Sequence, residues 1–465
     1  WKLYRSMMLG NVSNSQSCSK AAGQLGTDAA GGMGMTGANA PVADMNFQGG
    51  YPIHAVGGCA FGGGRALPRR PKAMGGCWDF GGKGKGQSTG TGNSIQRAKH
   101  INVLLCKAAD NGDVHVLLNI VASNLGEMNC VNLSTAVHKL ARLAKEAGLP
   151  IAAHDSRLMA LHARIRCVLH GQRAAGPNAE IVPRCWATIA WAYGTMQMHD
   201  PQVMCVLEII GALALPNLGF FKPLELTNLL WSFAKMQVPN ARLFQASCQQ
   251  ISSGLASFSP SNLSTIIWAF VTAGHVFSNM LNQVAKEFAN RLAFFQVNPV
   301  EVANLMWGLA TAKLHPKGQV LHEVGCRAIA MLPEFKLQEL SITAWAFSRL
   351  GELHDEFFAA VADSLSSSRM LRGQIHPQGI ANILWAFERQ KAMGSTVLPQ
   401  IMLAVSKLIC TCLQLLPRLK PQEFTCVLRA LTKLGLQRGA CHEVDTFFSA
   451  AAEVGGPLVS RLSLS

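Results

Sequence analysis

Acidic residues are scarce in this chain of 465 residues: 26 Asp and Glu stand against 41 Lys and Arg, giving a net charge of +15. Such a balance suits an anionic partner, most simply nucleic acid or else an anionic membrane surface. Long apolar runs are missing too. No stretch of eighteen apolar residues occurs, so no membrane span is expected. The 14 cysteines lack paired metal-ligand spacing. Cys410 and Cys412 lie two apart, and the nearest later histidine is His442, so the cysteines read as buried thiols in a reducing compartment. Gly81 to Gly86 carries glycines and lysines, but neither Lys83 nor Lys85 is followed by Ser or Thr and no strand precedes them, which excludes a phosphate loop. The 14 histidines keep no repeated spacing to acids or cysteines, and His138, His162 and His442 stand alone on helices. No catalytic set, cofactor, metal site or small-molecule substrate is expected, and the chain reads as a non-enzyme.

What the chain does have is one phrase written seven times between Val182 and Leu431. The copies are VPRCWATIAWAY, KPLELTNLLWSF, SPSNLSTIIWAF, NPVEVANLMWGL, KLQELSITAWAF, HPQGIANILWAF and KPQEFTCVLRAL. Their tenth positions are Trp191, Trp231, Trp268, Trp307, Trp345, Trp385 and Arg429, spaced by 40, 37, 39, 38, 40 and 44 residues. A weaker copy, CVNLSTAVHKL, puts His138 at the same place. A fixed period in this range marks a stacked repeat array.

Each phrase opens a helix. Pro183, Pro223, Pro260, Pro299, Pro377 and Pro421 suit a first helical turn, where the missing N–H has no partner anyway. Glu225, Glu301, Glu339 and Glu423 follow near the positive helix end, and Asn298 with Glu301 makes a capping box. With the anchor as zero and about 100° per residue, positions −5, −2, −1 and +2 form one apolar side, as in Leu226, Leu229, Leu230 and Phe233. The anchor itself overlies a small residue at −4: Ala187, Thr227, Ser264, Ala303, Ser341 or Ala381. A second amphipathic helix completes each unit, for example NARLFQASCQQI from Asn240 and EFFAAVADSL from Glu356. The expected fold is all-α: a right-handed α-solenoid of about eight helix–turn–helix repeats of about 38 residues, with the tryptophans in its core.

Composition divides the chain. About half of the 43 glycines precede Asn93, so residues 1–94 read as a disordered Gly-rich tail. Residues 95–128 read as a capping helix pair, 129–453 as the array and 454–465 as a C-terminal tail. The chain opens on Trp1 rather than Met, as a fragment or a gene model lacking its first exon would, and its acid-poor, Ser- and Gly-containing start suits an organelle targeting sequence.

The motifs NLLWSFA at Asn228, NLMWGLA at Asn304, ITAWAFS at Ile342 and NILWAFE at Asn382 resemble the octotricopeptide-type repeats of algal organelle RNA factors. They are also similar to the repeats of FAST-kinase-domain mitochondrial proteins with their apicomplexan and dinoflagellate relatives, and to repeat subunits of the kinetoplastid RNA-editing substrate-binding complex. The resemblance covers about Asn129 to Ala452. It implies an RNA-binding protein of a mitochondrion or chloroplast, acting in RNA processing, stability, editing, translation or ribosome assembly. Members of these families often end in a small RAP domain, which has no counterpart here.

On the helical wheel, −6, −3, +1 and +4 read as the one face between two buried sides. Position −3 holds Thr188, Asn228, Thr265, Asn304, Ile342 and Asn382; position +4 holds Thr195, Lys235, Thr272, Thr311, Arg349, Arg389 and Lys433. Stacked in register, Asn228, Thr265, Asn304 and Asn382 would meet base edges of single-stranded RNA while Lys235, Arg349, Arg389 and Lys433 neutralise phosphates. The competing reading is a protein-interaction scaffold whose solenoid groove holds another subunit, with the same rows serving as helix contacts and solvated surface.

Overall fold

A computed structural model of the chain describes residues 91–147, 155–178, 180–367, 375–439 and 442–462. The expected unfolded tail lies outside the described residues except at its end, where the first helix begins at Thr91 rather than at Ile95. Among the described residues every regular element is a helix. In chain order the α-helices are α1 Thr91–Asp110, α2 Val114–Asn124, α3 Cys130–Ala147, α4 Ser156–Ala175, α5 Pro183–Met196, α6 Pro201–Ala214, α7 Pro223–Lys235, α8 Ala241–Ser253 and α9 Pro260–Thr272. They continue as α10 Ser278–Arg291, α11 Pro299–Ala312, α12 Val320–Ala330, α13 Leu337–Leu350, α14 Asp355–Ser366, α15 Pro377–Ala392, α16 Leu398–Leu415, α17 Pro421–Leu434 and α18 His442–Leu462. The last helix runs past Glu453, so the segment read as a C-terminal tail is helical to Leu462.

From α3 on the odd-numbered helices carry the repeated phrase, and each odd helix packs on the next odd one; the even-numbered helices form a second series against them. The glutamate-bearing openings, three of them led by proline, behave as the sequence implies. The backbone N–H groups of Lys222, Asn298, Lys336 and Lys420 donate to the carboxylates of Glu225, Glu301, Glu339 and Glu423 at 2.9–3.1 Å. Each closes one unpaired donor at a helix start. The phenylalanines at +2 join the two series. Phe270 of α9 meets Phe244 of α8 edge-on at 5.1 Å, Phe347 of α13 meets Phe357 of α14 at 5.0 Å, and Phe387 of α15 meets Phe358 of α14 at 6.3 Å.

Contact between successive odd helices is close enough to need small side chains. A Cβ on Gly308 would fall 2.3 Å from Cγ2 of Ile267 on the preceding odd helix. A Cβ on Gly194 would fall 2.9 Å from the Trp231 ring and 3.3 Å from the Ser232 backbone on the following one. Position +1 therefore faces backward and +3 forward. Ala192, Ser232, Ala269, Ala346 and Ala386 at +1 are all fully buried.

The first rungs hold two neutral histidines. His138 of α3 packs on the Trp191 ring at 5.1 Å, doing there what a tryptophan does elsewhere, and His162 of α4 meets Tyr193 edge-on at 5.3 Å. Burial presses both imidazoles down to a pKa of about 4.

Two outcomes are expected. Gly308→Ala loses about 1–3 kcal/mol through overpacking, and Ile267→Leu, which lacks the offending Cγ2, restores part of that loss in the double mutant. Additive losses in a denaturant-unfolding cycle would contradict the contact. The histidines set a pH window. Above about pH 6.5 the folded and unfolded chains both hold them neutral and stability is full. Between there and pH 4 only the unfolded chain takes up the protons, so stability falls as pH falls and levels off below. Thermal melts of His138→Phe and His162→Phe are expected to show a shallower decline over this window than the native chain; an equal slope would refute the assignment.

Candidate nucleic-acid interface

The directions of +1 and +3 decide what an odd helix leaves uncovered. Its −5, −2, −1 and +2 residues are covered by the even helices, with Leu226, Leu229, Leu230 and Phe233 fully buried. The strip that remains runs through −7, the anchor and +4. Leu224, Gln338 and Gln422 at −7 are exposed. Trp268 and Trp307 are half-buried, while Trp191, Trp231, Trp345 and Trp385 are buried near the edge of the same strip. Trp268 and Trp307 sit 6.3 Å apart, and Trp345 and Trp385 6.5 Å apart, as successive tilted rungs. The tryptophans thus fill the shallow groove between neighbouring odd helices, and two of the six are not core residues as the sequence reading expected.

The −3 row is not where the wheel put it. Thr265, Asn304 and Asn382 are buried, at 4%, 2% and 0% exposure, and only Thr188 and Asn228 are half-buried. Thr265 spends its hydroxyl on the carbonyl of Ser261 at 2.7 Å. The physical reason lies in the crossing. Taking the tryptophan as the second buried side left −3 and +1 apparently free, whereas helix–helix contact uses +1 and draws −3 into the seam beside it. Buried carboxamides at Asn304 and Asn382 present no base-reading edge at the surface. Asn382 is the extreme case, because neither its Oδ1 nor its Nδ2 has a hydrogen-bond partner.

The +4 row stays at the surface. Lys235, Arg349 and Arg389 are half-buried and Lys433 is exposed, each in the last turn of its helix. A cation there is favoured by the negative helix end. Burial of its stem pushes the Lys235 ammonium below the usual lysine range. Lys433 has a second duty: its Nζ lies 3.2 Å from Oε1 of Glu388, a carboxylate only 3% exposed. Removing it would leave a buried charge unpaired.

The sequence reading foresaw no metal-ligating group. His322 and Cys326 of α12 and His354 ahead of α14 nevertheless bring their ligand atoms within 4.8 Å of one another. The H-x-x-x-C spacing along one helix was the available signal, and the third member comes from the next unit. Among the described residues two stretches are long and apolar enough to cross a membrane by length and composition alone: Pro201–Phe220, with 50% of its most apolar window buried, and Leu398–Arg418, with 39%. Both hold ordinary places in the even series, where burial accounts for their composition. No family model matches the chain, and no curated protein is found to be similar to it.

Asn382 tests the packing role of the −3 row. Asn382→Leu removes two unpartnered buried polar atoms and is expected to stabilise the fold by about 1 kcal/mol. A loss of stability in denaturant unfolding would contradict that packing role.

Proposed function

We propose that the chain binds single-stranded RNA along the uncovered strip of its odd helices. The observation that carries this reading is the register of Lys235, Arg349, Arg389 and Lys433 at +4, one cation at the same turn of four repeats, three of them half-buried and Lys433 exposed. Of the intervening +4 residues, Thr311 is exposed and Thr195 half-buried, hydroxyls that an RNA backbone can share, whereas the Thr272 hydroxyl is buried. Beside this row run the tryptophan rungs, with the edges of Trp268 and Trp307 accessible. A positive track flanked by aromatic surface is what a single strand requires: cations for its phosphates and rings for its unpaired bases. The buried −3 row moves the reading from base-by-base recognition toward backbone tracking. We read the array as a right-handed α-solenoid of about eight units of about 38 residues, working on RNA in a mitochondrion or chloroplast.

One observation favours a protein ligand instead. Phe220 and Phe294 are 64% and 84% exposed on the turns that lead into α7 and α11, the kind of apolar surface that a partner subunit covers.

Salt dependence distinguishes the two. Lys235→Ala, Arg349→Ala and Arg389→Ala combined remove three phosphate contacts and leave the Lys433–Glu388 pair in place. At about 0.7 per contact to a single strand, the slope of log affinity against log salt is expected to flatten by up to about 2. The readout is fluorescence anisotropy of a labelled oligonucleotide at several salt concentrations, with helicity checked. An unchanged affinity and slope would discard the RNA reading.

A further inference from the structure

The cluster on α12 and α14 has a geometry that the repeat does not explain. His322 and Cys326 are one helical turn apart, exposed, and share a face, with Cys326 Sγ 3.6 Å from His322 Nε2. His354 reaches them from the next unit. Its ring lies nearly parallel to that of His322, with centroids 5.3 Å apart and 15° between planes. It is only 6% exposed. Its edge rests on Gly325, where a Cβ would fall 2.2 Å from Nε2. Glycine at this point of α12 is what admits the imidazole.

His354 occupies a position that in two other units holds a plain helix cap. Asp200 and Asn240, nine residues past their anchors as His354 is past Trp345, cap α6 and α8 with side-chain oxygens. His354 caps α14 with Nδ1, which accepts from the Phe357 N–H at a long 3.3 Å. An oxygen would cap as well and would leave nothing over. The imidazole instead keeps a second nitrogen, Nε2, which is buried, turned toward α12 and without any hydrogen-bond partner.

We propose that His322, Cys326 and His354 form a zinc site that staples one repeat to the next. Two imidazoles and a thiolate are a donor set for this ion, at about 2.0–2.1 Å for nitrogen and about 2.3 Å for sulfur. Tetrahedral bonds of those lengths place N and S about 3.6 Å apart, the separation already present between His322 and Cys326. The remaining separations, up to 4.8 Å, close by rotation of the two exposed side chains. Coordination displaces the Cys326 thiol proton to solvent. In His354 the ring proton moves from Nε2 to Nδ1 as Nε2 gives its lone pair to the ion, so the long cap to Phe357 is given up. Three protein ligands leave a fourth position for water or for a donor from a bound partner. Because a proton is released, the site tightens as pH rises.

Cobalt reports the site directly in the full chain. Titration with Co²⁺ is expected to give sulfur-to-cobalt charge-transfer absorption and intense tetrahedral d–d bands that saturate at one equivalent, and Zn²⁺ is expected to bleach both. Cys326→Ser removes the charge-transfer band. His354→Asn keeps an N-cap oxygen, so the fold is retained, yet weakens binding at least tenfold. Zn²⁺ raises the melting temperature of the native chain and not that of either variant. The proposal fails if no such spectrum develops, or if the spectrum and affinity survive in Cys326→Ser and His354→Asn, which would place the metal on other cysteines.

Discussion

Everything in the described array rests on how closely consecutive odd helices approach. Gly308 against Ile267 and Gly194 against Trp231 leave no room for a methyl group, and alanine or serine fills the equivalent backward-facing positions. Backbones that close turn the +1 and +3 sides into the seam, and every other direction follows. Even helices take the side rich in leucine, isoleucine and phenylalanine; the +4 row is left outside, with the anchors filling the groove at its edge. Ser348 makes the same point with a polar residue. From the forward side of α13 it donates to the carbonyl of Ala386 on α15 at 3.1 Å and accepts from Gln390 Nε2 at 3.1 Å. The Ser348 hydroxyl is thereby paired on both sides, and Gln390 Nε2 also donates to the Glu352 carbonyl, though Gln390 Oε1 is left without a partner.

The excess of positive charge divides into two uses. Part of it is structural. Arg164 of α4 donates to the Gly126 carbonyl just past α2. Arg291 of α10 donates to Leu255, Ala256 and Phe258 just past α8, and Lys407 of α16 donates to Ser366 at the end of α14. In each case a cation of one even helix satisfies carbonyls left open at the C-terminal end of the previous one, where the helix field also favours it. Lys391 does the same for Lys433 and Leu434 at the end of α17. A net charge of +15 is therefore a weaker argument for a polyanion than it looks, since these cations face carbonyls. The argument for RNA rests on position, on the few basic side chains that recur at one turn of the odd helices.

Periodicity made the fold legible. Proline at the first turn, glutamate after it and a 3.6-residue apolar rhythm are local instructions, and they gave the helix openings, the pairing of helices and the apolar side correctly. The accessible face was harder to read. A wheel shows which side is apolar, but it cannot show which of two mixed sides meets a neighbour. Alanine and glycine at +1 were read as part of the open face, whereas they sit in close contact with the preceding odd helix. Small residues in register carry both meanings, and backbone approach alone separates them. The same error moved Asn304 and Asn382 to the surface on paper. His354 was illegible for another reason, because its partners lie in a different unit and no repeated spacing points to them.

Departures from the repeat show where a common scaffold has been given particular properties. At +3, facing the next anchor, the units carry Gly194, Ala234, Val271, Ala310 and Ser348, and then Glu388. That glutamate comes where the following anchor is Arg429 instead of tryptophan and where Lys433, on the same helix as Arg429, closes an ion pair. A small residue beneath a ring has been exchanged for a buried acid paired with a cation, so the seam between α15 and α17 is held partly by charge. His354 is the second departure: a cap changed from oxygen to imidazole at the one unit where α12 offers a histidine, a cysteine and the glycine that lets the ring in. Neither change serves the repeat as such, and each alters how one unit is joined to its neighbour.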